Sequence, residues 1–211
     1  YCVHCDEPGT LGRLIKADKK NPDKIRNLKV SGKISDEDFY FMRDSMAILE
    51  AVNLKESRVV EVEAGGEIWG TLPDGKWGII GYTEVHDDVI PRYAFFGKKS
   101  LCYLTFPEVI TKIDECAFSG SFLSGTLVIP NDVTSLMKQA FYSTNISRVE
   151  FASKLEYIGD ACFSNIQALS GPITFPSTLE YIGHSAFADG GGLSGILRLP
   201  SELVFIGDKA F

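Results

Sequence analysis

Three stretches of the chain hold residue types that could do chemistry. The first is Cys2-Val3-His4-Cys5. A C-x-x-C pair can be half of a zinc site, a redox pair or a local disulfide. A structural zinc site wants a second such pair, and His4 between the cysteines is badly spaced to join them. A flexible or disulfide-closed terminus is the plainer reading; a cysteine that carries a lipid in a precursor is a further one. The second stretch is Glu84-Val85-His86-Asp87-Asp88, the densest polar cluster in the sequence. It could hold a metal or an acid–base pair, but no partner residues recur in phase nearby, and a solvated loop accounts for it. The third is Trp69 and Trp77, which flank the turn signal Pro73-Asp74-Gly75-Lys76. They read as packed across a hairpin, with an exposed contact patch as the alternative. The three histidines, His4, His86 and His184, lie far apart. The Gly-rich runs are not followed by the Lys-Ser/Thr that a phosphate-cradling loop requires. Catalysis needs convergent groups. The chain therefore reads as no enzyme, with no catalytic residues, cofactor or metal expected.

The elements that position these residues come from a repeat. Its clearest copy is PITFPSTLEYIGHSAF, residues 172–187. The pair Ala186-Phe187 recurs as Ala94-Phe95, Ala117-Phe118, Ala140-Phe141, Cys162-Phe163 and Ala210-Phe211, at steps of 23, 23, 22, 24 and 24 residues. Five residues before each Phe stands an aliphatic: Ile90, Ile113, Leu136, Ile158, Ile182 and Ile206. Upstream lies an alternating triplet such as Leu104-Thr105-Phe106 or Ile173-Thr174-Phe175, closed in four of five cases by Pro107, Pro130, Pro176 or Pro200. Self-similarity at such a period means a solenoid. The triplet is a short strand with two side chains inward and one outward, and proline, which cannot donate to the ladder, closes it. The Ile-x-x-x-Ala-Phe part has a spacing near four and predicts one helical turn with Ile, Ala and Phe on the core. No unit can bury its apolar face alone, so the coils must stack. The expected fold class is α/β, a solenoid with one parallel sheet and short helical turns opposite, closed by an N-terminal helical cap.

These residues resemble the BspA-like leucine-rich repeat family of bacterial surface proteins. The matching elements are the strand–proline pattern of residues 173–176 and the Ile-Gly-x-x-Ala-Phe signature of residues 182–187 and 206–211. The regular resemblance spans residues 90–211. It implies a leucine-rich repeat solenoid, secreted or displayed on the bacterial cell surface, and some family members act as adhesins for host proteins.

Composition sets bounds. With 211 residues and 45% hydrophobic content the chain can bury a sizeable core. Its net charge of −7 argues against nucleic acid as a partner and against a polybasic membrane contact. No apolar run approaches the roughly 20 residues of a membrane span. The chain starts at Tyr1 without a Met, which reads as a mature or excised form, so the extracellular location rests on the resemblance. Five cysteines leave at least one unpaired. Cys162 reads as a core thiol and Cys116 as a surface residue.

Three divisions follow. Residues 1–24 form an N-terminal segment with a capping helix, whose stripe is Leu11, Leu14 and Ile15. Residues 25–89 form irregular leucine-rich units with a hairpin-like insertion. There IRNLKV is a strand, Ser35 caps a helix with Phe39, Met42 and Met46 inward, and EAVNL is the next strand. Residues 90–211 are the regular repeats. The outward strand positions should be Tyr103, Thr105, Thr126, Val128, Arg148, Glu150, Thr174 and Arg198. They mix aromatic, hydroxyl and charged groups, as the face that binds a host or neighbouring-cell protein or glycan would. The competing expectation is a structural spacer or self-assembling segment. The chain stops inside a repeat at Phe211, which predicts either continuation of the natural chain or self-association through that end.

Overall fold

The structure is a computed structural model that describes residues 1–62, 67–71, 76–82 and 87–211. The strands in chain order are β1 (Cys2–Cys5), β2 (Asn27–Ile34), β3 (Ala51–Val59), β4 (Glu67–Thr71), β5 (Trp77–Tyr82), β6 (Val89–Ile90), β7 (Tyr103–Thr105) and β8 (Lys112–Ile113). They continue as β9 (Ser124–Val128), β10 (Ser135–Leu136), β11 (Asn145–Glu150), β12 (Tyr157–Ile158), β13 (Ser170–Gly171), β14 (Tyr181–Ile182), β15 (Gly192–Leu193) and β16 (Phe205–Ile206). Two α-helices, α1 (Leu11–Ala17) and α2 (Asp36–Ser45), belong to the first two coils. Together they make a parallel solenoid of about eight turns.

One long side carries the strands expected from the alternating triplets. There β1, β2, β3 and β7 pair in order, all parallel. The side continues through the β9–β11 pair, the β13–β15 pair and a single bridge between Thr174 and Arg198. The other long side differs from a row of helical turns. The aliphatics Ile90, Ile113, Leu136, Ile158, Ile182 and Ile206 each end a two-residue strand, and β6, β8, β10, β12, β14 and β16 form a six-stranded parallel ladder.

Backbone hydrogen bonding explains why the regular coils use a ladder there. A helix keeps its N–H groups inside its own segment. Here alternate N–H groups cross to the next coil: Tyr93 to Glu115, Phe95 to Ala117 and Gly97 to Ser119, at 2.7–3.1 Å. The intervening ones, on Ala94, Phe96 and Lys98, close tight turns within their own coil. The same alternation repeats from Cys116, Phe118 and Gly120. The residue before each Ala-Phe or Cys-Phe pair takes a left-handed conformation (Tyr93, Cys116, Gln139, Ala161, Ser185 and Lys209, φ 50–57°), which no helix admits. The apolar spacing is met all the same in the first five units, whose aliphatic, small and Phe positions are buried; in the last, Ala210 is buried while Ile206 and Phe211 are exposed.

The core is one column. Phe95, Phe118, Phe141, Phe163, Phe187 and Phe211 stack in sequence with ring centroids 5.3–5.7 Å apart. Phe39 of α2 meets Phe95 edge-on and so extends the column into the irregular coils. In the second coil α2 takes the place of the ladder. Its Tyr40 hydroxyl donates to the Arg92 carbonyl at 2.9 Å, and Arg43 donates to the Tyr93 carbonyl at 2.8 Å. Buried Lys98 donates to the Arg43 and Met46 carbonyls at 2.8 and 2.6 Å and so caps the end of α2. Desolvation lowers its pKa, which these two carbonyl partners make tolerable.

The N-terminal segment is fixed by one carboxylate. Asp38, in the first turn of α2, accepts from the N–H groups of Gly9, Leu11 and Ser35 at 2.8–3.0 Å. Residues 1–7 are therefore no loose terminus: β1 is the first strand of the sheet, with Val3 and Cys5 inward. The irregular insertion leaves the rhythm intact. Its two ends meet where the Asp88 N–H donates to the Val59 carbonyl at 2.9 Å. Between them β4 and β5 pair antiparallel, as the hairpin reading expects, while Pro73, Asp74 and Gly75 of the turn signal lie outside the described residues. Its register sets Trp69 opposite Ile79 and Trp77 opposite Thr71, so the tryptophans are not a directly opposed pair.

Candidate interaction face

The alternation of the strands decides which side chains leave the core. In β7, β9 and β11 the residues between the buried ones point outward, and all eight predicted face residues are exposed. Tyr103 is 65% exposed and Val128 is 56% exposed. The register aligns Arg148 with Thr126, Glu150 with Val128, and Thr174 with Arg198. Two columns result. One runs Tyr103, Thr126, Arg148 and on to Ile196; the other runs Thr105, Val128, Glu150, Thr174 and Arg198. Toward the N-terminus the first column continues to Ala51 and Asn27, and the second to Asn53 and Lys29. Among the described residues none of the eight makes a side-chain hydrogen bond, ion pair or ring contact. A shallow hollow of about 250 Å³ lies between Tyr1 and Tyr103, over Ala51 and Asn53.

Sequence reasoning missed the N-terminal part of this face. The signal was present, since inward Val52 and Leu54 require Asn53 outward. It also missed Ile196, which is 74% exposed and holds the phase of Tyr103.

The candidate chemical groups do not converge. Cys2 and Cys5 lie three residues apart on β1, so one is exposed and the other buried, and both are free thiols. Burial lifts the Cys5 thiol to about 11. His4 Nδ1 sits 2.9 Å from the Ser31 hydroxyl and its Nε2 3.4 Å from Asp6, an exposed constellation on the open sheet surface. Of the polar cluster at residues 84–88, Glu84, Val85 and His86 lie outside the described residues. Asp88 pairs with Arg58 at 3.3 Å, and the Asp87 carboxylate accepts from the Glu61 N–H at 2.8 Å. His184 is exposed, and its Nδ1 accepts from the Asp208 N–H at 2.9 Å. Among the described residues no group of three or more His, Cys, Asp and Glu side chains could hold a metal ion.

Cys116 corrects an expectation. It holds an outer phase of the ladder side, yet it is only 4% exposed. Its neighbours at the same phase on the adjacent coils, Tyr93 and Gln139, close over it, and the Gln139 side-chain oxygen lies 3.7 Å from its sulfur. Burial pushes its thiol up to about 11. Cys162 is the core thiol its phase predicts.

The architecture is that of a leucine-rich repeat solenoid. Residues 88–211 match the family model of the BspA-type leucine-rich repeat region, in six copies, and the chain belongs to this family. The six copies correspond to the six Ile-to-Phe units. No curated protein matches the chain. Repeats of this family are typically bacterial surface or secreted elements, are often involved in binding, and are generally non-catalytic.

Proposed function

We propose that the chain is a non-catalytic, secreted or surface-displayed bacterial binding module that engages a macromolecule, adhesin-like, through the outward face of its parallel strands. The observation that carries this reading is the row of exposed, unpartnered side chains on that face: Tyr103, Thr105, Thr126, Val128, Arg148, Glu150, Thr174 and Arg198. An extended face built on a stacked scaffold suits a protein or glycan larger than any hollow on it. Arginine and tyrosine there are the residue types that dominate binding energy when buried by a partner. The test is capture of the purified chain by immobilised host matrix proteins, plasma proteins and glycans. Saturable capture that is lost in a Tyr103→Ala/Arg148→Glu variant of unchanged stability is the expected result. Capture unaffected by that variant would move the contact elsewhere. Silence across the panel would favour the competing reading, a spacer or self-assembling segment.

A further inference from the structure

Net charge conceals a local one. Residues 13–26 carry six cations (Arg13, Lys16, Lys19, Lys20, Lys24 and Arg26) and two acids (Asp18 and Asp23). That stretch is net +4 in a chain of net −7, so the remainder carries −11. All six cations are exposed. Arg26 pairs with Glu50. The other five make no ion pair with a described residue. The two acids inside the stretch, already counted in the net +4, form no ion pair with a described residue. Asp18 accepts from the Tyr1 hydroxyl at 2.5 Å, and Asp23 faces the Ala47 N–H at 3.5 Å.

Geometry gathers five of these cations into two groups that share Lys20. Arg13, Lys16 and Lys20 recur at three and four residues along α1 and the turn that ends it. Lys20, Lys24 and Arg26 then line a hollow of about 350 Å³ with Tyr1 and Asn27. Cations near the end of α1 are favoured by its dipole, which accounts for Lys16 but not for Lys24 beyond it.

We propose that this basic surface is a second contact site, adjoining the sheet face at Asn27, and that it takes an acidic polysaccharide chain. The anionic character follows from charge complementarity. A flexible polymer strand fits a hollow between lysines, whereas a bilayer presents a flat surface. No large hydrophobic side chain of residues 1–30 is exposed to enter a bilayer. An extended nucleic-acid duplex would run out over the acidic remainder of the chain.

The test titrates the full chain with a size-defined heparin oligosaccharide at low and at physiological salt. Phosphatidylcholine vesicles containing phosphatidylserine, and a short single-stranded DNA, run in parallel. The expected result is salt-sensitive heparin binding that a Lys16→Glu/Lys20→Glu/Lys24→Glu variant weakens at least about tenfold, since reversed charges repel the polymer at contact range. The Tyr103→Ala/Arg148→Glu variant should bind heparin as the parent does, which separates this site from the sheet face. All three lysines are exposed, and an unchanged thermal midpoint confirms that the variant folds. No heparin binding by the parent, or equal binding by the triple-lysine variant, would overturn the proposal. So would tighter binding to the vesicles or the DNA than to heparin.

Discussion

The two long sides of the regular repeats treat their surface side chains differently. On the ladder side, outer residues engage one another. Tyr157, Tyr181 and Phe205 stack at 4.6 Å, Arg92 pairs with Glu115, and Asp160 and His184 accept N–H groups of the next coil. On the strand side, Thr126, Val128, Arg148, Glu150, Thr174 and Arg198 engage nothing described. Backbone pairing follows the same division. The ladder links all six regular coils without a gap, whereas the strand side breaks into pairs and a single bridge. One side holds the coils together, and the other presents side chains that remain available to a partner.

The strongest way to break this comparison is a core substitution beside an apolar face substitution. Phe141 is fully buried between Phe118 and Phe163, with both ring distances 5.3 Å. Phe141→Ala should cost about 3–5 kcal/mol. Val128→Ala on the strand side should stay within about 0.5 kcal/mol. Chemical denaturation reads both. A comparable loss in the two variants would mean that the strand side also holds the solenoid.

The next effect is backbone proximity on the ladder side. A Cβ on Gly183 would stand 2.5 Å from the Asp160 nitrogen and 2.6 Å from the Gly159 carbonyl carbon, both backbone atoms of the preceding coil. Gly183→Ala should therefore cost ~1–3 kcal/mol, because the coils must part to admit it. On the strand side, the pair Arg148→Glu/Arg198→Glu should leave the melting midpoint unchanged and abolish partner capture. A midpoint that drops with the arginine pair would deny that these side chains are free.

Cysteine chemistry sharpens the same division at no cost to the fold. Cys2 is exposed on the outer surface of β1, while Cys116 is buried although it sits at an outer phase. Iodoacetamide near pH 8 should modify Cys2 in the native chain and spare Cys5, Cys116 and Cys162 until denaturant is added. Burial keeps Cys5 and Cys116 as thiols there, with values raised to about 11, and shifts Cys162 in the same direction. Fast native labelling of Cys116 would show that the ladder side opens.

The repeat and its strand side were legible because side-chain type alone marks them: Ile, Ala and Phe must be buried, and the triplet alternates. The ladder was not legible. An Ile-x-x-x-Ala-Phe spacing satisfies a helical turn and a strand followed by left-handed turns equally well. The difference lies in where the N–H groups of Tyr93, Phe95 and Gly97 go, which no side chain announces. β1 was hidden by its own cysteines. The alternation of Val3 and Cys5 carried the strand, while C-x-x-C suggested chemistry. The basic surface of residues 13–26 was masked by the whole-chain net charge; a count over that stretch alone finds it.

The smallest effect concerns α2, which stands in for the ladder in the second coil. Asp36 is buried at its first turn. One carboxylate oxygen accepts from the Glu37 N–H at 2.9 Å, and the other has no partner. Burial raises its pKa above the ordinary carboxylate value, ahead of the effects of Glu37 and Asp38. The folded chain then holds this proton more tightly than the unfolded chain does. The linked stability is fully present below the unfolded carboxylate value of about 4 and is lost as pH rises through the raised value. At neutral pH the charge is a liability. Asp36→Asn should accordingly raise the melting midpoint at pH 7, by the equivalent of about 1 kcal/mol, since it removes an unpaired buried charge and keeps the acceptor for Glu37. The gain should shrink steadily on acidification and vanish below about pH 4, where the parent carboxyl is itself neutral. A gain that persists at low pH would trace the effect to packing, and a loss at pH 7 would mean that the charged form of Asp36 supports α2.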